Sequence, residues 1–282
     1  MGGTVLQIVE WALLAGGLGL GPVAQAQAQA QAQAESPHDL SFAAVTPETV
    51  GVNAISAWGY DWYLASARQP YSIGYAAKGD IWRFELRAGD NEAQRAADIA
   101  GAKGKDRSEL WMLGNDARSF ASGVCMRFRM YVQDMPREAG KWTVLGQWHA
   151  VEDAGDAHLS PVFAQEFNSD GFRIVIRSDF AATQALPNKN PTVVYADRAY
   201  PLGQWVDWQY QILFSKDQPN GALTAWRDGA VVAQLSGVGL GYNDRIAPRY
   251  QFGIYRGYDY AGAAVVYYSG MRFSQGACAG AK

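Results

Sequence analysis

The sequence predicts an all-β protein, a two-sheet sandwich of the β-jelly-roll kind. Three observations carry that prediction. From about residue 80 onward, short apolar–polar alternations recur between turn signals. No long 3.6-residue periodicity interrupts them. Large side chains are also abundant: 13% of the 282 residues are aromatic, including 10 Trp and 15 Tyr, and 49% are apolar, enough for a sizeable core.

Residues 1–34 read as a separate segment. They contain no Lys or Arg and one acid, Glu10, and run from an apolar stretch, Trp11 to Val23, into an Ala-Gln repeat ending at Ala34. A short apolar core followed by repeated Ala-x-Ala sites has the pattern of a secretory signal peptide, although the positive n-region is missing. The expectation is a secreted or periplasmic protein with one domain over residues 35–282. Residues 35–80, with Trp58, Tyr60, Trp62 and Tyr63, are expected to form an N-terminal arm.

Ile81–Arg87 is the first clear strand, and the polar, Gly/Ala-rich stretch Gly89–Lys105 reads as a loop. Val124–Val132 alternates Val124, Met126, Phe128, Met130 and Val132 on one face with Arg127, Arg129 and Tyr131 on the other. Phe172–Arg177 follows the turn sequence Asn168-Ser169-Asp170-Gly171. Val206–Phe214 repeats the alternation with Val206, Trp208, Tyr210, Ile212 and Phe214 against Asp207, Gln209 and Gln211. Asp228-Gly229 marks another hairpin, and Val265–Phe273 is a late strand. Two sheets packed through such apolar faces leave polar outer faces, a natural groove for a polymer.

The formal charge is −3, and removing residues 1–34 leaves 24 basic and 27 − 1 = 26 acidic residues. No whole-molecule field recruits nucleic acid, and no apolar stretch is long enough to span a membrane. Cys125 and Cys278 are the only cysteines. In an oxidising compartment they allow a bridge from the C-terminal strand to the body; two separate thiols are the alternative. No CxxC or His/Cys cluster suggests zinc; no cofactor is required, and a structural calcium stays open although no acidic string has trustworthy calcium-ligand spacing.

Three segments carry candidate chemistry. In Asp106-Arg107-Ser108-Glu109-Leu110-Trp111, strand parity puts Arg107, Glu109 and Trp111 on one face. In Trp142–His149, Gln147 and His149 share a face opposite Trp148. Of the three histidines, His38 lies near the start and His158 in a polar loop, so His149 is the one set in a strand. In Arg249–Gly257, Phe252 and Ile254 face the core and Gln251, Gly253 and Tyr255 face away. Gly253 either leaves room for a ring to approach the backbone or marks a bulge or tight packing contact.

Arg107-Ser108-Glu109, Gln147-Trp148-His149 and Gln251-Phe252-Gly253-Ile254-Tyr255-Arg256, in that order, resemble the motifs of heparin-lyase-like and alginate-lyase-like jelly-roll polysaccharide lyases, over about residues 80–275. Phe-Gly-Ile-Tyr-Arg-Gly is most similar to the heparin-lyase-like group, which includes glucuronan lyases. The resemblance implies a concanavalin-like sandwich that cleaves an anionic, uronate-containing polysaccharide by β-elimination, as a monomer. It implies Arg107 and Gln147 neutralising the uronate carboxylate, His149 as base and Tyr255 as acid. Glu109, Tyr250, Gln251 and Arg256 are the expected substrate-binding residues around them. In some relatives one Tyr serves as both base and acid. The residue types fit the chemistry, since a neutral imidazole accepts a proton and a phenol is protonated at neutral pH. Where the family's late strand often carries Lys four residues before the Tyr, this chain has Gln251, which favours a plain uronate polymer such as glucuronan over heparin. The competing readings are a carbohydrate-binding module or lectin, and a concanavalin-like glycoside hydrolase; the hydrolase usually needs paired carboxylates such as Glu-x-Asp-x-Glu, a string absent from the chain.

Overall fold

The structure is a computed structural model that describes residues 36–51, 53–90, 105–114, 123–184, 190–257 and 259–278. The signal-peptide-like segment 1–34 and most of the expected loop, residues 91–104, lie outside the described residues. In chain order the strands are Ala43–Ala44 (β1), Ala54–Ala57 (β2), Tyr60–Ser66 (β3), Ile73–Ala76 (β4), Ile81–Leu86 (β5), Asp106–Met112 (β6), Val124–Asp134 (β7), Trp142–Val151 (β8), Phe163–Asn168 (β9), Gly171–Ile176 (β10), Ser178–Asp179 (β11), Thr192–Asp197 (β12), Trp205–Leu213 (β13), Gly221–Arg227 (β14), Ala230–Val238 (β15), Gly241–Tyr242 (β16), Ile246–Arg256 (β17) and Ala264–Gln275 (β18). One eight-stranded sheet runs β1, β4, β5, β18, β7, β13, β14, β15; the other runs β12, β10, β9, β8, β17, β6, β3, β2. Every pairing within these two sheets is antiparallel. Among the described residues no helix is long and apolar enough to cross a membrane.

The alternation in the sequence becomes the sandwich. Along β13 every second residue is buried, and Val206, Trp208, Tyr210 and Ile212 meet the opposite sheet. Val124, Met126, Phe128, Met130 and Val132 of β7 bury their side chains in the same core. Burying a Phe such as Phe84 or Phe172 contributes about 1.5–3 kcal/mol relative to exposure. Polar groups in this core cross between sheets. Gln165 Nε2 of β9 donates to Tyr210 Oη at 2.6 Å, and Tyr268 Oη of β18 donates to the Leu145 carbonyl at 2.7 Å. Buried donors of this kind cost stability unless paired, so these bonds also set how the sheets face each other.

Both sequence-marked hairpins form. Asn168 Oδ1 accepts the Asp170 amide at the β9–β10 turn, and Asp228 and Gly229 both take positive φ between β14 and β15, as a two-residue hairpin requires. The expected N-terminal arm does not exist as such: residues 43–76 supply β1 and β4 to one sheet and β2 and β3 to the other. Trp62 is fully buried in the core. The alternation from 35 to 80 is broken by turns and switches of sheet, which hides four strands from a periodicity reading. Tyr131 also departs from expectation. His38 Nε2 lies 3.1 Å from Tyr131 Oη, and Tyr131, expected on a wet face, packs with Tyr267, Val265 and Ile81 beneath Leu40 and Phe42.

Cys125 and Cys278 form a disulfide across 153 residues of sequence. It ties the end of the chain to β7, beside β18, where Ser274 already pairs with Cys125.

Candidate active site

β8, β17 and β6 are neighbours at the middle of their sheet, and their register assembles the three sequence segments. Gln251 is opposite both Gln147 and Trp111, Gly253 is opposite Glu109, and Tyr255 is opposite Arg107. Arg249 is opposite His149. Side chains on one face of antiparallel neighbours meet at such positions. Arg107, Gln147, His149 and Tyr255, separated by up to 148 positions in the chain, therefore share one face of three adjacent strands.

Glu109 is the hub of this face. It is fully buried, and its Oε2 accepts from Arg107 Nη1 and, at 3.1 Å, from Trp111 Nε1. Its Oε1 accepts from Gln147 Nε2 at 2.8 Å, and the same amide donates to Gln251 Oε1 at 3.1 Å. A carboxylate beside an arginine only accepts, which fixes the orientation of the Gln147 amide. Both amide hydrogens are thus spent, and Gln147 Oε1 is a buried acceptor with no hydrogen-bond partner among the described residues. Glu109 and Gln251, expected to bind substrate, hold the residues beside them.

The Arg107 guanidinium carbon lies 3.8 Å from the centre of the Tyr255 ring, and Trp142 meets that phenol edge-on with ring centres 5.1 Å apart. The cation orients the ring and is itself held by Glu109. Tyr255 is partly exposed, whereas Arg107 and Gln147 are buried.

His149 is 9% exposed. Burial pulls its pKa down to about 4, outweighing the Ala150 carbonyl and Glu152, which favour the charged form. The ring is neutral at neutral pH. Its Nδ1 is 2.9 Å from the Ala150 carbonyl, an acceptor only, so the proton sits on Nδ1 and Nε2 keeps its lone pair. The His158 ring stacks near it, with centroids 5.4 Å apart, and His158 Nδ1 is 3.0 Å from Glu152 Oε1. His158 lies in a polar loop of the sequence, and nothing local in Glu152–His158 signals that the loop folds back onto β8. That loop is acidic, and Asp244 lies buried against it. Burial first, then the charges of Asp156, Asp153 and Glu152, raise the Asp244 pKa to about 7.

At β17 the structure selects between the two alternatives for Gly253 and corrects the expectations for Tyr250 and Arg256. Gly253 leaves no room for a sugar ring: its φ is +125°, and an added Cβ would lie 2.2 Å from the Ser108 carbonyl oxygen and 2.8 Å from Phe84 Cδ1. It belongs to the tight-packing alternative, at a register shift between Phe252 and Tyr255 against β8. Tyr250 does not face the groove; it is buried between the sheets, packed on Trp148, Phe252 and Phe273. Arg256 is fully buried too, with Nε 3.0 Å from Asp106 Oδ2 and both terminal nitrogens donating to the carbonyls of Gly262 and Arg87. Its charge and donors serve the scaffold, which excludes it from binding a glycan.

Comparison with known proteins bears on this geometry. Curated proteins give no significant sequence match. Among solved structures, an endo-β-1,4-glucuronan lyase from the fungus Trichoderma reesei is similar, with 14% identity and a TM-score of 0.51 over 79% of this chain and 93% of that one. An alginate lyase from Pseudomonas aeruginosa aligns with 13% identity and a TM-score of 0.50 over 76% and 97% of the two chains. A family 7 alginate lyase in complex with substrate aligns with 11% identity and a TM-score of 0.51 over 73% and 82%. At these identities the likeness establishes the jelly-roll fold. The family itself comes from the polysaccharide lyase model, which matches residues 58–272 and so spans β3 to β18 with all three site strands. On that match the chain belongs to the polysaccharide lyase family and is a lyase rather than a hydrolase or a binding module.

Proposed function

We propose that this lyase is exported and cleaves a glucuronan-like uronate polymer by β-elimination, using His149, Tyr255, Arg107 and Gln147. The observation that carries the reading is the convergence of those four side chains on one face of β6, β17 and β8.

Elimination removes the C5 proton, builds enolate-like charge on the C6 carboxylate and expels the C4 oxygen. His149 Nε2 takes the C5 proton, for which its neutral, Nδ1-protonated state is suited. Tyr255 Oη protonates the leaving oxygen. Its ring sits under Arg107, whose charge is available on this face to neutralise the developing carboxylate. Gln147 contributes by exchanging its bond to Gln251 Oε1 for one to the substrate carboxylate, while its bond to Glu109 keeps the amide aligned. A neutral Gln251 in place of a cation favours a plain uronate over a sulfated one. Release of ultraviolet-absorbing 4,5-unsaturated uronate ends from a panel of glucuronan, alginate, hyaluronan, heparin and heparan sulfate tests the proposal. Glucuronan is the expected best substrate. Unsaturated ends from another polymer, with glucuronan untouched, would overturn the specificity. His149→Ala and Tyr255→Phe are each expected to lower turnover far more than binding; full rates in either variant would remove that residue from the mechanism.

A further inference from the structure

The loop after β8 brings a donor set to His149 that the elimination does not use. The ligand atoms of His149, Glu152 and His158 all lie within 4.8 Å of one another. His158 Nδ1 and Glu152 Oε1 are already 3.0 Å apart. Two imidazoles and a carboxylate form the donor set preferred by borderline divalent ions, with Zn–N near 2.0–2.1 Å and Zn–O about 2.0–2.2 Å. Around a tetrahedral ion such bonds put ligand atoms roughly 3–4 Å apart, so the cluster must contract only slightly. The side chain able to make that adjustment is His158, which is 80% exposed. His149 is held in place by the Ala150 carbonyl, which takes Nδ1–H and leaves the Nε2 lone pair as the one the ring can offer. The second-neighbour contact from a carbonyl to a metal-ligating histidine is the arrangement that raises ligand basicity and fixes the ring.

The geometry points to a site for Zn²⁺ or a similar imidazole-seeking divalent ion at His149, Glu152 and His158, whose occupancy switches elimination off. The metal site stands on the three side chains alone. The switch rests on the reading of His149 as base, because an ion on its Nε2 removes the lone pair that takes the C5 proton. Glu152 and His158 have no part in the elimination, so they tune metal sensitivity without being needed for turnover.

Calorimetric titration of the chelator-treated full chain with Zn²⁺, and the visible absorption of a Co²⁺ complex, read binding without reference to activity. One ion per chain is expected, with affinity reduced about tenfold or more in His158→Ala and in Glu152→Gln. In parallel, Zn²⁺ should inhibit the native enzyme reversibly, and His158→Ala should keep its metal-free rate while resisting inhibition. No binding, or equal affinity in both variants, overturns the site even if His149→Ala abolishes elimination. Stoichiometric binding at this site with an unchanged elimination rate overturns the switch, and with it the role of His149 as base.

Discussion

Glu109→Gln is the most informative single change at the site. The substitution keeps the volume and replaces one carboxylate oxygen by an NH2 group. Glu109 accepts from Arg107, Trp111 and Gln147, and it is fully buried. Whichever way the new amide turns, its NH2 faces a donor: Gln147 on one side, or Arg107 and Trp111 on the other. Breaking a buried ion pair by removing one charge costs about 3–5 kcal/mol. One acceptor oxygen survives and Arg107 keeps its contact with Tyr255, so the expected loss is near the lower end, about 3 kcal/mol. For a domain of this size each 1 kcal/mol moves the melting temperature by roughly 2–4 °C, giving a fall of about 6–12 °C. Turnover should fall about a hundredfold or more, because Arg107 and Gln147 both lose the group that aims them. Differential scanning calorimetry and the unsaturated-product assay read the two effects separately. A melting temperature within 2 °C of native together with near-native turnover would refute the view of Glu109 as the hub, where about ±0.5 kcal/mol is the ordinary effect of a surface change.

Gly253→Ala should be severely destabilising, by about 4 kcal/mol or more, because the nearest atom to the new Cβ is backbone and φ is +125°; a soluble variant with a native melting curve would contradict the packing described. Asp244 has a folded pKa of about 7, above its ordinary value, so its contribution is fully present at low pH and is lost as pH rises through about 7. Asp244→Asn should therefore flatten the decline in melting temperature between pH 4 and 7 and be more stable than native at pH 8, by about 2–4 kcal/mol at roughly 1.4 kcal/mol per pH unit; an unchanged pH slope would refute this. Replacing Cys125 and Cys278 together by Ala should cost about 2–5 kcal/mol in urea unfolding, since the bridge closes a loop of 153 residues, while leaving the elimination rate intact, since the bridge itself joins β7 to the residues after β18 in the sheet that does not carry the site; unchanged stability would show that the C-terminal strand needs no tether.

Strand parity is a local property, and it was legible without the fold. The alternations at Val124–Val132 and Val206–Phe214 gave the two-sheet architecture, and the same period of two put Gln147 with His149 and Arg107 with Glu109 on their faces. Parity also set Phe252 and Ile254 toward the core, which implies the inward direction of Tyr250 and Arg256 that the structure shows. The residues between 35 and 80 were not legible, because their strands are short, change sheet and find partners far away in the chain.

What a side chain does at its position depends on neighbours that only pairing supplies. The sequence by itself determined the fold class, the three site strands and the face each candidate occupies. The tertiary structure decided which face-mates touch. It made Glu109 a hub between strands, gave Gly253 to backbone packing, closed Arg256 onto Asp106, joined Cys125 to Cys278 and brought His158 onto His149. The physical reason is the range of the interactions: side-chain direction in a strand is set by the residue's own backbone, whereas register, burial and hydrogen-bond partners are set by segments up to 213 residues away.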